Sequence, residues 1–372
     1  MLKLLHAADL HLSSGPEKEY GLEVLREIIS LANQKQADFV LFCGDLFDSF
    51  KDLKSGKLLD AVKEEAQRLH NNGRILYIPG NHESLGMGEQ DKFSNFNFGR
   101  IELMADPSSE FGGRVLELPA ADIVCVPHAQ DYSGYRKWPL PPKRAGTARV
   151  LMMHGTSSAV YRGPDPEEGG AGVIPDSLFE WLGTDYAALG HVHSARESRI
   201  GGTLAVYCGS ARVWRRREEG PRKAVYFEIK DGEIAGKEDL LLQSAGQYRA
   251  FTLPLDPDAG VPPAAMRGLL EKLSSPERDY VVVSLSGLVE DANALSATER
   301  ALEDVLRAKS PRKLEILSGE VENYGGAASN ELAKQFLARL DAVKPPAGSP
   351  ETELWFAARR QGLAALTDRE LE

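Results

Sequence analysis

Short apolar runs alternate with amphipathic stretches through about the first 240 residues. Leu2 to Ala7, Phe39 to Cys43, Ile75 to Ile78, Val115–Leu118, Ile123–Val126, Val150–Met153, Tyr186–Leu189, Thr203–Cys208 and Ala224–Ile229 have the length and composition of strands. Leu22, Leu25, Ile28, Ile29 and Ala32 recur at helical spacing and predict an amphipathic helix over 21–34. Leu58, Leu59, Val62, Ala66 and Leu69 predict a second helix, stopped near Asn71-Asn72-Gly73. The later strands follow one another with fewer helices. The pattern therefore predicts an α/β (α+β) fold: two sheets face to face, a β-sandwich flanked by helices.

The pattern changes near Gln243–Gly246. Tyr248–Leu253, a helix near Pro263–Leu273, Tyr280–Ser286, a helix near Thr298–Leu306 and Leu314–Leu317 make a β-α-β-α-β unit. The expected domains are 1–245, a small αβ domain over 246–318, and a linker with C-terminal helices over 319–372. Glycines and polar residues at 319–330 read as the linker. Two helices follow, about 330–342 and 351–366, parted by Lys344-Pro345-Pro346-Ala347-Gly348-Ser349-Pro350. Leu354, Trp355, Phe356, Leu363 and Leu366 give the last helix an apolar face, suited to packing on its own domain or docking on a partner.

Chemistry gathers where the apolar runs end. Leu2 to Ala7 leads into Asp9-Leu10-His11, Phe39 to Cys43 into Gly44-Asp45-Leu46-Phe47-Asp48, and Ile75 to Ile78 into Gly80-Asn81-His82-Glu83. Val150 to Met153 leads into His154-Gly155, and Tyr186 to Leu189 into Gly190-His191-Val192-His193. In open α/β sheets this edge is where ligands bind. Asp9, His11, Asp45, Asn81, His154, His191 and His193 together offer carboxylate, imidazole and amide oxygen, a set suited to two Mn, Fe or Zn ions rather than Mg or Ca. Asp45 is the natural bridge, and such ion pairs clamp a phosphate beside a water poised for in-line attack. If the segments are extended, side chains two residues apart face one way, so Asp9 with His11 and His191 with His193 can converge. His82 is left over as a proton donor to a leaving oxygen, and Asp48 could orient His82 or the nucleophilic water. Gly155 to Gly172, carrying Asp165, Glu167 and Glu168, reads as a long loop beside this site. His6, His70 and His128 are assigned no role.

Hydrophobic residues are 42% and charged residues 27% of the 372, the balance of a globular chain rather than a disordered one. No run approaches the ~18 apolar residues of a membrane helix, and Asp9 and His11 cut the first apolar stretch too short for a signal peptide. Cys43, Cys125 and Cys208 are far apart in strands, which suits reduced thiols and a cytoplasmic protein. The net charge of −11 counts against nucleic-acid binding by the whole surface. Charge is screened beyond roughly 8 Å, however, and two divalent ions against Asp9 and Asp45 would leave the site positive. Arg212, Arg215, Arg216, Arg217, Arg222 and Lys223 surround Trp214, but Glu218 and Glu219 interrupt them, so a solvated hairpin is expected before a nucleic-acid groove.

The five strand-end motifs resemble the calcineurin-like metallophosphoesterase superfamily over residues 1 to about 240. Within it the chain looks like the SbcD-type nuclease subunits of DNA double-strand-break repair complexes. Leu5-His6-Ala7-Ala8-Asp9-Leu10-His11-Leu12, Asp45-Leu46-Phe47-Asp48, and Tyr207-Cys208-Gly209-Ser210 followed by Gly220-Pro221-Arg222-Lys223-Ala224 carry that match. The resemblance implies a four-layered sandwich with a small αβ capping domain, a dimanganese site and phosphodiester cleavage in DNA. It implies one ion on Asp9, His11, Asp45 and His193, the other on Asp45, Asn81, His154 and His191, and His82 as the catalytic histidine. It also implies DNA and an SMC-like ATPase subunit as partners, with a homodimer as an allowed assembly and no membrane. Two other readings compete: a small-molecule phosphodiesterase or phosphatase on the same site, and a non-catalytic subunit tethering an ATPase to DNA.

Overall fold

A computed structural model describes the chain except residues 85–91, 164–171, 256–259, 274–275, 290, 324–330, 347–348, 350 and 368–372. It divides into two compact units, Met1–Gly246 and Gln247–Glu372.

The first unit is built from strands β1 (Leu2–Ala7), β2 (Phe39–Cys43), β3 (Arg74–Ile78), β4 (Ile101–Leu103), β5 (Arg114–Glu117), β6 (Ala121–Val126), β7 (Ala148–His154), β8 (Tyr186–Gly190), β9 (Arg196–Ile200), β10 (Thr203–Tyr207), β11 (Lys223–Lys230) and β12 (Glu233–Leu241). One sheet has the order β12-β11-β1-β2-β3-β4, the other β5-β6-β7-β8-β10-β9. The strands β1 to β4 run parallel, as do β6, β7, β8 and β10. Parallel strands bury both faces, and alternation along each strand sends successive side chains opposite ways. Leu4, Leu41 and Ile78 thus meet Val150, Met152 and Ala188 between the sheets, while Leu5, Val40 and Phe42 pack outward on Leu22, Leu25 and Ile28 of the helix Lys18–Lys35. Leu151, Ala187 and Leu189 do the same against Leu178 and Phe179 of the helix Asp176–Leu182. Each of the larger of these side chains contributes roughly 1.5–3 kcal/mol by leaving water. The layering is helix, sheet, sheet, helix, the arrangement expected from the pattern. Cys43, Cys125 and Cys208 are unpaired thiols buried between the sheets.

Some elements of the first unit escape the apolar pattern. The strands β9 and β12 are sheet edges whose residues are mostly exposed and charged, as suits an edge kept from pairing with other chains. Their order comes from backbone pairing, as in Lys223↔Leu241, rather than from buried side chains. β4 is three residues long and the helix Asp176–Leu182 seven, too short to show a period.

In the second unit β13 (Tyr248–Leu255), β14 (Tyr280–Val289) and β15 (Lys313–Asn323) form a parallel sheet in that order. Leu269 of the helix Pro263–Lys272 and Leu302 and Leu306 of the helix Ala292–Arg307 cover Val281, Val283 and Leu285. The strand β15 runs to Asn323, so the segment expected as linker from 319 begins as strand. Pairs such as Ser286↔Glu320 hold a polar, glycine-containing stretch extended. In the final helix, Glu351–Thr367, Trp355 is 5% exposed and donates its indole N–H to the Leu340 carbonyl at 2.9 Å. That helix packs on its own unit through Trp355 and leaves Leu354 exposed. Phe356 and Leu366 are half-buried, and the Leu363 side chain lies outside the described residues. Among the described residues no helix is long and apolar enough to cross a membrane.

Candidate metal centre

The parallel strands of both sheets deliver their ends to one place. Asp9 and His11 follow β1, Asp45 follows β2, Asn81 follows β3, His154 closes β7, and His191 and His193 follow β8. All seven are buried. Pairing continues beyond the strands, with the Asp9 N–H donating to the Gly44 carbonyl at 3.1 Å and the His11 N–H to the Asp45 carbonyl at 2.9 Å. The converging pairs are not extended segments, which corrects the expectation. Asp9, His11, Asp45 and His191 have φ of 54, 46, 48 and 96°, in the left-handed region. Such backbone costs about 1–3 kcal/mol per residue, persists where surroundings over-determine it, and clusters at functional sites.

Glycine is required where the sheets meet. A Cβ on Gly190 would lie 1.8 Å from the Cys43 carbonyl oxygen and 2.9 Å from His154 Nδ1. Gly190→Ala is therefore expected to cost about 1–3 kcal/mol or more, and to push Cys43 away from His154. A thermal melt unchanged to within about 2 °C, below the shift expected for a loss of that size, would contradict it.

The seven side chains lie close together. His154 Nε2 lies 2.8 Å from Asn81 Oδ1 and 3.3 Å from Asp45 Oδ2, and His191 Nδ1 is 3.3 Å from Asn81 Oδ1. On the other side His11 Nε2 and His193 Nε2 are 3.1 Å apart, with Asp45 Oδ2 4.0 Å from His11 Nε2. Asp9, His11 and His193 offer ligand atoms all within 4.8 Å of one another, as do Asp9, Asp45 and His154. Two imidazole nitrogens facing each other at that spacing match two donors at right angles on one ion, about 3 Å apart for bonds of about 2.1 Å. Nitrogen and oxygen donors without thiolate suit a catalytic divalent ion.

The electrostatics point the same way. Burial pushes the Asp9 carboxyl up to about 7, against the pull of His154 and His193. Burial would raise Asp45 too, yet His154 and His11 hold it well below the usual carboxylate range. His154 resists burial because Asp45 raises it to about 10, whereas burial drives His11 well down. Neutral imidazole is the ligating form, so His11 is held ready to bind while His154 would give up a proton to an ion, and Asp45 is the fixed negative charge between the two halves.

Surrounding groups hold these side chains. The buried Glu83 carboxyl group accepts from Gly80 N–H at 2.8 Å, Phe47 N–H at 2.9 Å and Asp45 N–H at 3.2 Å, tying the ends of β2 and β3 together. Burial and Asp45 push it up to about 8. The His82 main-chain N–H donates to Asp45 Oδ1 at 3.0 Å, and its ring Nδ1 lies 2.7 Å from the Asp48 carbonyl oxygen. A carbonyl only accepts, so Nδ1 carries the proton. Asp48 thus orients His82 through its main chain. Its carboxylate lies near both rings, with Oδ1 3.5 Å from His11 Nδ1 and a carboxylate oxygen within 4.8 Å of a His82 ring nitrogen.

The basic run is not a solvated hairpin. Residues 209–222 form no strand but a loop laid along the cluster. Arg212, 2% exposed, donates to the Leu10 carbonyl at 2.6 Å, the His11 carbonyl at 2.5 Å and Glu17 at 2.9 Å, pinning the turn after β1. The Trp214 ring stacks on His11 at 3.8 Å and 3°, with the Arg215 guanidinium 3.9 Å over it. Buried Glu218 meets His193 Nδ1 at 2.5 Å. Tryptophan inside a basic run is the sequence signal for this loop; an acidic residue beside it carries none. His128 also comes near, although its sequence context gives it no role. It follows β6 as a further strand end, its ring 6.2 Å from that of His154 and its pKa lowered by burial to about 4. His6 is buried at 3.4 Å from the Tyr186 hydroxyl, and His70 Nε2 lies 2.9 Å from the Ala37 carbonyl, both away from the cluster. Asp165, Glu167 and Glu168 lie outside the described residues.

Residues 2–195 match the calcineurin-like phosphoesterase family. Among curated proteins the chain is 28% identical over 253 residues to the uncharacterized metallophosphoesterase YhaO of Bacillus subtilis, covering 63% of this chain and 59% of that one. It is 27% identical over 299 residues to the DNA double-strand break repair protein Mre11 of Aeropyrum pernix, covering 74% and 69%. It is 26% identical over 283 residues to one subunit of the nuclease SbcCD of Bacillus subtilis, covering 65% and 70%. The chain spans less than two thirds of the length of YhaO. The chain belongs to the calcineurin-like phosphoesterase family, and the strand-end cluster supplies the candidate ligands of that family's dimetal-binding site.

Proposed function

We propose that this phosphoesterase is a metal-dependent DNA nuclease working with an SMC-like ATPase in double-strand-break repair. The observation that carries it is the Arg215–Arg217 run beside Trp214, whose ring stacks on His11. It sets the Arg215 guanidinium over a ring stacked on His11 in a protein with net charge −11, where a polyanion must enter. The names of the Mre11 and SbcCD relatives support the same substrate. Three unpaired thiols fit a cytoplasmic location.

In this reading Asp9, His11, Asp45 and His193 hold one ion and Asp45, Asn81, His154 and His191 the other, both Mn²⁺. When bound, the ions supply charge to the phosphate and lower the pKa of the attacking water. His82 gives its Nδ1–H to the Asp48 carbonyl, so in the imidazolium form Nε2 is the nitrogen that passes a proton to the leaving oxygen, leaving the neutral ring. The tail helices are the segment proposed for the ATPase, with Leu354 the most exposed large apolar residue among those described there.

Purified protein with Mn²⁺ is to be offered end-labelled single- and double-stranded DNA beside bis-p-nitrophenyl phosphate and p-nitrophenyl phosphate. Cleavage of DNA and of the chromogenic diester is expected. Turnover of a chromogenic ester with DNA left intact would instead establish a small-molecule phosphodiesterase or phosphatase. Two bound ions with no turnover of anything would establish a tethering subunit.

A further inference from the structure

A histidine that binds a metal through one ring nitrogen donates the other N–H to a carboxylate or carbonyl, which fixes its tautomer and its direction. His154 Nδ1 has the Cys43 carbonyl at 2.9 Å. For His193 the partner is Glu218, 25 residues on, with Oε1 2.5 Å from Nδ1. A carboxylate ionised at this site has only acceptors, so Nδ1 carries the hydrogen and Nε2 presents its lone pair toward His11 Nε2, 3.1 Å away. The other Glu218 oxygen accepts the Trp214 main-chain N–H at 2.6 Å, and the Trp214 ring lies flat on His11. Glu218 is 7% exposed. Arg222, itself buried, holds the segment by donating to the Glu218 and Glu219 carbonyls at 3.1 and 2.6 Å and to the His193 carbonyl at 3.2 Å.

We propose that Glu218 is the positioning residue of the Asp9–His11–His193 half of the site. Its one carboxylate sets the His193 tautomer directly and the His11 ring plane through Trp214. The proposal rests on His193 being a ligand, as in the proposed function. Glu218→Gln keeps the size, but only one of its two head atoms is an acceptor, so it cannot accept from both the His193 Nδ1–H and the Trp214 N–H, and its amide N–H would favour the His193 tautomer with Nδ1 bare.

The test uses the full chain, ¹⁵N-labelled at histidine, with Mn²⁺ titrated by calorimetry. Glu218→Gln is expected to weaken binding of one Mn²⁺ by about 10–100-fold and leave the other unchanged. In chelator, the long-range ¹H–¹⁵N spectrum should show His193 as the single Nδ1–H tautomer in wild type and as a mixture in the variant. Should Glu218→Gln melt below wild type in chelator, Glu218→Asp takes its place with the same expectation, since its carboxylate is withdrawn by one methylene. Both Mn²⁺ affinities within twofold of wild type and an unchanged tautomer would overturn the proposal. His193→Ala separates the two failures. If it still binds two ions, the ligand reading of His193 is wrong; if it loses one while Glu218→Gln loses none, only the Glu218 role is.

Discussion

Asp45→Asn is expected to cut hydrolysis by at least about 10³-fold, which corresponds to about 4 kcal/mol in the barrier, and to lower metal content below two ions per chain. Asn can still accept the His82 main-chain N–H that Asp45 Oδ1 accepts at 3.0 Å, so the turn after β2 has no reason to open. What disappears is the charge on the other oxygen, 3.3 Å from His154 Nε2 and 4.0 Å from His11 Nε2. In the proposed assignment Asp45 is the residue shared by both ions, so its substitution should weaken both halves together. His154, raised to about 10 by Asp45, should fall once the carboxylate is gone. Elemental analysis of the purified variant beside its turnover rate checks this. Two tightly held ions with full activity would take the bridging role from Asp45.

His82→Ala should separate chemistry from metal binding. The group that His82 gives to Asp45 is its main-chain N–H, and alanine keeps it. The ligand geometry should therefore survive, and both ions with it. The ring is lost, and with it the imidazole oriented by the Asp48 carbonyl at 2.7 Å. A general acid in this position is worth about 10²–10⁴ in kcat, roughly 3–5 kcal/mol. Metal stoichiometry and kcat measured on one preparation decide it. Loss of an ion from His82→Ala would make His82 a ligand instead. Asp48→Ala should be much milder, because the atom that orients His82 belongs to the main chain.

Residue patterning alone is enough for the layered sheets and the donor set. A strand buried on both faces must be apolar along its length, so Asp9, Asp45, Asn81, His154 and His191 stand out at the ends of such runs without any knowledge of contacts. Contacts between distant segments supply what periodicity cannot carry. The strands β9 and β12 are ordered by neighbours' backbone, and their exposed charged residues leave no apolar signal. Asp9 and His11 converge through left-handed backbone, which depends on the pairing of the turns after β1 and β2. The His82 support is a carbonyl, an atom every residue at position 48 would supply. Trp214 and Glu218 belong to the site only because buried Arg212 and Arg222 fold their loop onto turns distant in the chain, as in the Arg212 bond to the Leu10 carbonyl. Trp355 likewise turns inward because the Leu340 carbonyl lies within its reach. Local composition marks which residues can do chemistry; hydrogen bonds between distant segments settle which of them reach it.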